Sequence, residues 1–203
     1  MKYFLLVITI ALCSLQLAAQ SQTQPSTQTA PLKIINFKKL QEFLPAKAPD
    51  GFTRQKPKGQ TVSSSGISSS NASVEFTASK KIKELQTMDD GKQDSVEVDV
   101  TWSATIDITD YAGMGEGMSA SLQMIAGMEF ENETENGYEK SVKFKDYKGI
   151  EKISSQDNSN SCSLQLVVGN RFLVNANGNN FADVTILHSF LNSMDLKKLE
   201  QTK

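Results

Sequence analysis

Over residues 96–108, VEVDVTWSATIDI, every even position is apolar (Val96, Val98, Val100, Trp102, Ala104, Ile106 and Ile108) and every odd one is polar. A period of two held this long predicts a β-strand with one face in a core. Trp102 stands at the middle of that face, which predicts a deeply buried indole. Upstream, Ala72, Val74, Phe76 and Ala78 alternate in the same way, and then Leu85 falls on the opposite count. A bulge near Lys80-Lys81 would account for the slip. Asp90-Gly91 between the two runs is a hairpin-turn signal, so residues 72–87 are expected to pair antiparallel with the long strand.

In residues 32–44, Phe37, Leu40 and Leu44 stand at helical spacing behind Asn36, a candidate N-cap, and Pro45 closes the segment. Residues 52–56 read as a first edge strand, and the serine-rich stretch 61–71 as a mobile loop or weak edge strand. Met114, Met118, Leu122, Ile125 and Met128 predict a helix over about 117–128, with its methionines filling core rather than lining a ligand groove. Four strands are expected next, at 138–146, 149–155, 162–168 and 171–177, the last two joined through Gly169-Asn170. A final helix is expected with Asn180 as N-cap and Asp183 in the first turn, burying Val184, Ile186, Leu187, Phe190, Leu191 and Met194. The expected class is α+β: an antiparallel sheet of about six to seven strands packed with N-terminal, middle and C-terminal helices.

This layout resembles the PsbP-like α/β/α sandwich superfamily. The similarity lies in the order of elements: a long strand, the helix carrying Met114 to Met128, a run of hairpins, and a last helix ending in SFLNSMDL at 189–196. The resemblance implies a binding or assembly factor rather than an enzyme, and it carries over no functional residue.

The start, MKYFLLVITIALCSLQLAAQ, has one Lys, an apolar run from Tyr3 to Cys13 and a small pair, Ala18-Ala19. It reads as a secretory signal peptide, 1–19, cleaved after Ala19. The run is too short to span a bilayer, so no transmembrane helix is expected in the mature protein. Ile10-Ala11-Leu12-Cys13 has the outline of a lipobox, but Leu12 is too large for it. A polar tether follows at 20–31, and 32–203 has the length of one domain. The short basic start, and Gln20 after the cleavage point, suggest bacterial export to the periplasm, outer envelope or exterior. With Cys13 gone, Cys162 is the one mature thiol. Its parity with Leu164, Leu166 and Val168 points it inward.

The net charge of −2 says little, but its distribution says more. Residues 20–60 carry seven Lys or Arg against two acids, and 88–136 carry twelve acids against Lys92 alone. Such a balance argues against a nucleic-acid partner. His188 is the only histidine and sits at the edge of the last helix's apolar arc, leaving too few imidazoles and thiols for zinc and no partnered serine nucleophile. Gly113-Met114-Gly115-Glu116-Gly117 lacks the spacing of a dinucleotide fingerprint. Two carboxylate sets remain: Glu97, Asp99 and Asp107 on the outer face of the long strand, and Glu129, Glu131, Glu133 and Glu135 after the middle helix. Neither has the facing pair of a glycosidase or the tight loop of a calcium site. Asn71-Ala72-Ser73 and Asn132-Glu133-Thr134 match the N-glycosylation sequon, and Asp94-Ser95-Val96 resembles a bacterial O-glycan acceptor. No catalytic, metal-binding or cofactor-binding residue is assigned, and no cofactor is expected. The expected role is an exported, non-enzymatic binding or assembly protein of the bacterial envelope, with another protein or a small apolar ligand as partner. The alternatives are a hydrolase using acidic residues and a calcium-stabilised secreted domain.

Overall fold

The computed structural model describes residues 33–202 apart from 88–90, 92 and 157–158. The expected leader with its cleavage point, the tether and Asp90 of the hairpin turn lie outside the described residues. Helix α1 (Phe37–Leu40) precedes strands β1 (Thr53–Arg54), β2 (Lys58–Ser64), β3 (Ile67–Thr87) and β4 (Gln93–Asp110). Helix α2 (Glu116–Gly127) follows, then β5 (Glu131–Thr134), β6 (Gly137–Phe144), β7 (Tyr147–Gln156), β8 (Ser159–Val168) and β9 (Phe172–Asn179). Helices α3 (Val184–Asn192) and α4 (Leu196–Glu200) come last among the described residues. All nine strands form one antiparallel sheet in the order β1-β3-β4-β9-β8-β7-β6-β5, with β2 beside β1 along β3. Among the described residues no helix is long and apolar enough to cross a membrane.

Among the described residues, nine strands and four α-helices overturn the expectation of a helix-rich α+β domain with six to seven strands. The strands that raise the number are β2, KGQTVSS, where the stretch 61–71 was expected as a mobile loop or a weak edge strand, and β5, ENET, which was not expected. Both hold their places by backbone pairing at the margins of the sheet, where neither side-chain face needs to be apolar. The serine-rich stretch is a tight hairpin because Ser65 and Gly66 both adopt positive φ, +50° and +82°. Two consecutive left-handed residues match the twist of the strands they join.

The core lies on one face of the sheet. Even-numbered residues of β3, β4, β8 and β9, such as Phe76, Ile106, Leu164 and Val174, meet Leu40, Leu187, Phe190, Leu191 and Leu199. Phe190 is central, with ring centroids 4.5 Å from Phe76 and 5.4 Å from Phe52. Among the described residues, the hydrophobic cluster on the opposite face is Leu122 of α2 packed on Val167 and Leu173, with Tyr111, Ile125 and Ala126 beside them. The methionines therefore do not fill core as expected: of the inward set on that helix only Leu122 is fully buried, and Met128 is 41% exposed.

Three local expectations change. The β3–β4 register runs without slip from Ser70↔Asp110 to Thr87↔Gln93, so no bulge interrupts it. Leu85 simply belongs to the other face, where it is 72% exposed. Asp183, not Asn180, caps α3 by accepting from the Thr185 amide. Asn180 has φ +65° and instead donates from Nδ2 to the Thr101 carbonyl at 2.7 Å.

One buried ion pair ties the end of β4 to the start of β9. Arg171 donates from Nε to Asp110 Oδ1 at 2.9 Å and from Nη2 to Oδ2 at 2.7 Å. Asp110 also accepts from the amides of Ile35 and Ala112, and Arg171 reaches the carbonyls of Lys33 and Thr202. Every oxygen and nitrogen of the pair is thus engaged, which is the condition under which a buried charge is tolerated.

Candidate functional site

The long apolar face of β4 divides at Trp102. On one side Ala104, Ile106 and Ile108 are fully buried in the core. Trp102 itself is half-buried at the rim, contrary to the expected deep burial. Its ring lies 5.3 Å from Phe181, with Lys80 Nζ 5.4 Å above it. Phe181 reaches this place by lying on Gly178, where any Cβ would collide with its ring. On the other side Val96, Val98 and Val100, with Ile82 across from Val98, belong to neither hydrophobic cluster.

These residues stand on a two-stranded ribbon. β9 stops pairing with β4 at Ser103, and β1 stops pairing with β3 at Thr77. Beyond those points, among the described residues, β3 and β4 pair only with each other, as far as Thr87↔Gln93. At about 3.3 Å per residue the ribbon projects roughly 33 Å. Its two faces differ in kind. One carries Lys80↔Val100, Ile82↔Val98 and Glu84↔Val96; the other carries Lys81↔Asp99 and Lys83↔Glu97, with Lys81 Nζ 3.8 Å from Glu97. The second face also carries Leu85, singly exposed, and is otherwise solvated, its charges alternating in sign across the strands. The first is an aliphatic stripe outside any core, and an isolated ribbon of this kind is marginal without something packed on it.

The carboxylates from the sequence do not converge. Glu97 and Asp99 lie on the charged face of the ribbon, while Asp107 lies within the sheet, hydrogen-bonded by Ser73 and with its carboxyl pushed up by burial. Glu131 and Glu133 point along the exposed edge strand β5, and Glu129 and Glu135 flank it in solvent. No group of three or more His, Cys, Asp or Glu side chains among the described residues could hold a metal ion. Asn71 of the first sequon is inside β3, donating to Thr109 Oγ1 at 3.0 Å, whereas Asn132 and Ser95 are exposed.

His188 is half-exposed on α3 and takes part in a network that the sequence reading missed. Its Nε2 lies 3.1 Å from Glu151 Oε2, and Tyr138 donates its hydroxyl to Glu151 Oε1 at 2.6 Å. Glu151 is 5% exposed. Burial, and then the hydrogen bond to Glu151, push the Tyr138 phenol up to about 12. The network fastens β6 and β7 to α3, and both carboxylate oxygens are occupied by protein. The signal available for Glu151 was parity, since it shares a face with Ile153 one pair further along β7.

Cys162 is buried as expected, at 3% exposure, and its thiol is pushed up to about 12 by burial and then by the charges of Asp183 and Glu151. Its reaction with a disulfide reagent at pH 8 is expected to proceed only as fast as the protein unfolds. The fold favours the protonated thiol, so this site costs no stability below pH 9 and costs progressively more between about 9 and 12. Rapid labelling of native protein would contradict the burial.

The surface clefts are shallow. One of 300 Å³ is lined by Met128, Ser141 and Val142 together with Glu129, Lys143 and Lys148, and another of 290 Å³ by Tyr147, Met194 and charged neighbours. Both are open, and their volumes are at the bottom of the range that encloses a small molecule. Comparison with models of protein families, with curated proteins and with solved structures finds no match to this chain.

Proposed function

We propose that this is an exported, non-enzymatic binding or assembly protein of the bacterial cell envelope, and that it docks another protein chain through the aliphatic face of the β3–β4 ribbon. The observation that carries this reading is the division of β4 at Trp102: the same apolar period serves the core on one side and projects from it on the other. A stripe of aliphatic side chains lifted away from the body of the domain suits a flat protein partner better than a small ligand, which needs concave walls. The leader-like start supplies the exported part of the reading.

A photo-crosslinking amino acid at position 98, in the native host, is expected to trap a protein. Ile82→Asp in the same chain should abolish the adduct, and the same probe at Asn177, on the polar face of the sheet, should trap none. No adduct at position 98, or equal adducts at both positions, would defeat the proposal.

A further inference from the structure

We infer that the partner of the ribbon is a second copy of this chain, docked face to face about a two-fold axis; the inference rests on the docking function just proposed. Its basis is the placement of two charges on the aliphatic face. Lys80 and Glu84 lie on β3 two positions either side of Ile82, on the same face as Val96, Val98 and Val100. A two-fold axis crossing the ribbons at Ile82 and Val98, perpendicular to the strands, stacks β3 on β3 and β4 on β4 with opposite direction. Ile82 then meets Ile82 and Val98 meets Val98, Val96 of each copy meets Val100 of the other, and Lys80 of each copy meets Glu84 of the other. A surface that is its own complement is what a two-fold interface requires. The two Lys80–Glu84 contacts fix its register at the rim of the aliphatic patch.

The alternative pairings of the ribbon carry their own penalty. Joining β4 to β4 edge to edge about Val98 sets Glu97 against Asp99 of the other copy, and joining β3 to β3 about Ile82 sets Lys81 against Lys83. Like charges directly opposite on paired strands are destabilising, and charged edges are the usual means of preventing such pairing. Edge pairing is therefore blocked on both sides, and face-to-face stacking is favoured. The chain's own polar segment 20–31 is poorly suited to the place, since it holds no apolar residue larger than Ala. The domain also receives that segment at Lys33, near Asp110, about 40 Å along β4 from Val98 at 3.3 Å per residue. Two ribbons of this size bury on the order of 500 Å², below the area of a permanent dimer, so the association is weak and depends on concentration.

The experiment uses the full chain purified from its native host. In a sedimentation concentration series the wild type is expected to move from monomer toward dimer. K80E and E84K should each weaken the dimer roughly tenfold or more, since each turns two attractions into repulsions. The double variant K80E/E84K should restore it, and an equimolar mixture of the two single variants should form the mixed dimer. Val98→Cys, at the axis, should form an intermolecular disulfide faster than Asp99→Cys on the opposite face. A dimer indifferent to the charge reversals would overturn the inference, as would equal oxidation of the two cysteine variants. The photo-adduct at position 98 separates this inference from the proposed function. A homodimeric adduct supports both, an adduct with a different protein overturns only the second-copy inference, and an internal adduct or none overturns both.

Discussion

Arg171→Met is expected to lower the unfolding free energy by about 3 to 5 kcal/mol, because it leaves the Asp110 carboxylate buried without its cation. Asp110 is 0% exposed and its oxygens are fixed by the amides of Ile35 and Ala112, so it cannot turn toward water. The carbonyls of Lys33 and Thr202 lose their donor in the same variant. Adding Asp110→Asn should recover part of the loss, since the amide oxygen still accepts from one of the two backbone amides and no net charge stays inside. Urea unfolding with constant m-value measures both. A single variant within 1 kcal/mol of wild type would mean that water reaches the pair.

Phe190→Ala is expected to cost about 3 to 5 kcal/mol as well, for a different reason: it opens a cavity between Phe76 and Phe52 where sheet and helix meet. Phe76 on β3 and Phe52 before β1 cannot close on it without breaking their own packing. Trp102→Ala should cost roughly half as much despite the larger ring, because Trp102 is only half-buried and its loss leaves a notch at the rim, not an internal void. The reverse ranking would mean that the ribbon, and not the body of the sheet, holds the core.

The strands that could be read from the sequence are those with one face in the core. β8 and β9 alternate because every second side chain is buried, and their apolar sets are found where the period put them; on β4 this holds for Ala104, Ile106 and Ile108. β2 and β5 could not be read in this way, since an edge strand is held by amides and carbonyls that every residue possesses. Periodicity was also silent about where a face ends. Seven apolar positions in a row on β4 implied one continuous burial, but the sheet beside them stops at Ser103, so three of the seven project from the domain. The same parity, carried two residues further, would have placed Asp110 on the buried face and announced the ion pair. Likewise Glu151 shares its face with Ile153, whereas of the candidate acids Glu97, Asp99, Glu129, Glu131, Glu133 and Glu135 are exposed and Asp107 alone lies within the sheet. A single acid at an inward position of a strand was the more informative signal, because burying it requires a partner.

The clamp at Arg171 has a consequence for connectivity. Its guanidinium holds the carbonyls of residues 33 and 202 at 3.0 and 3.2 Å, so the first and last of the described residues meet at one side chain. A ring closed there with a short linker would follow the same path through all nine strands. The Ser65–Gly66 turn, which joins two neighbouring strands and packs against nothing else at Gly66, then becomes a natural place to open it. The fold is in this sense a closed circuit whose starting point is a matter of gene order, a property that permits circular permutation.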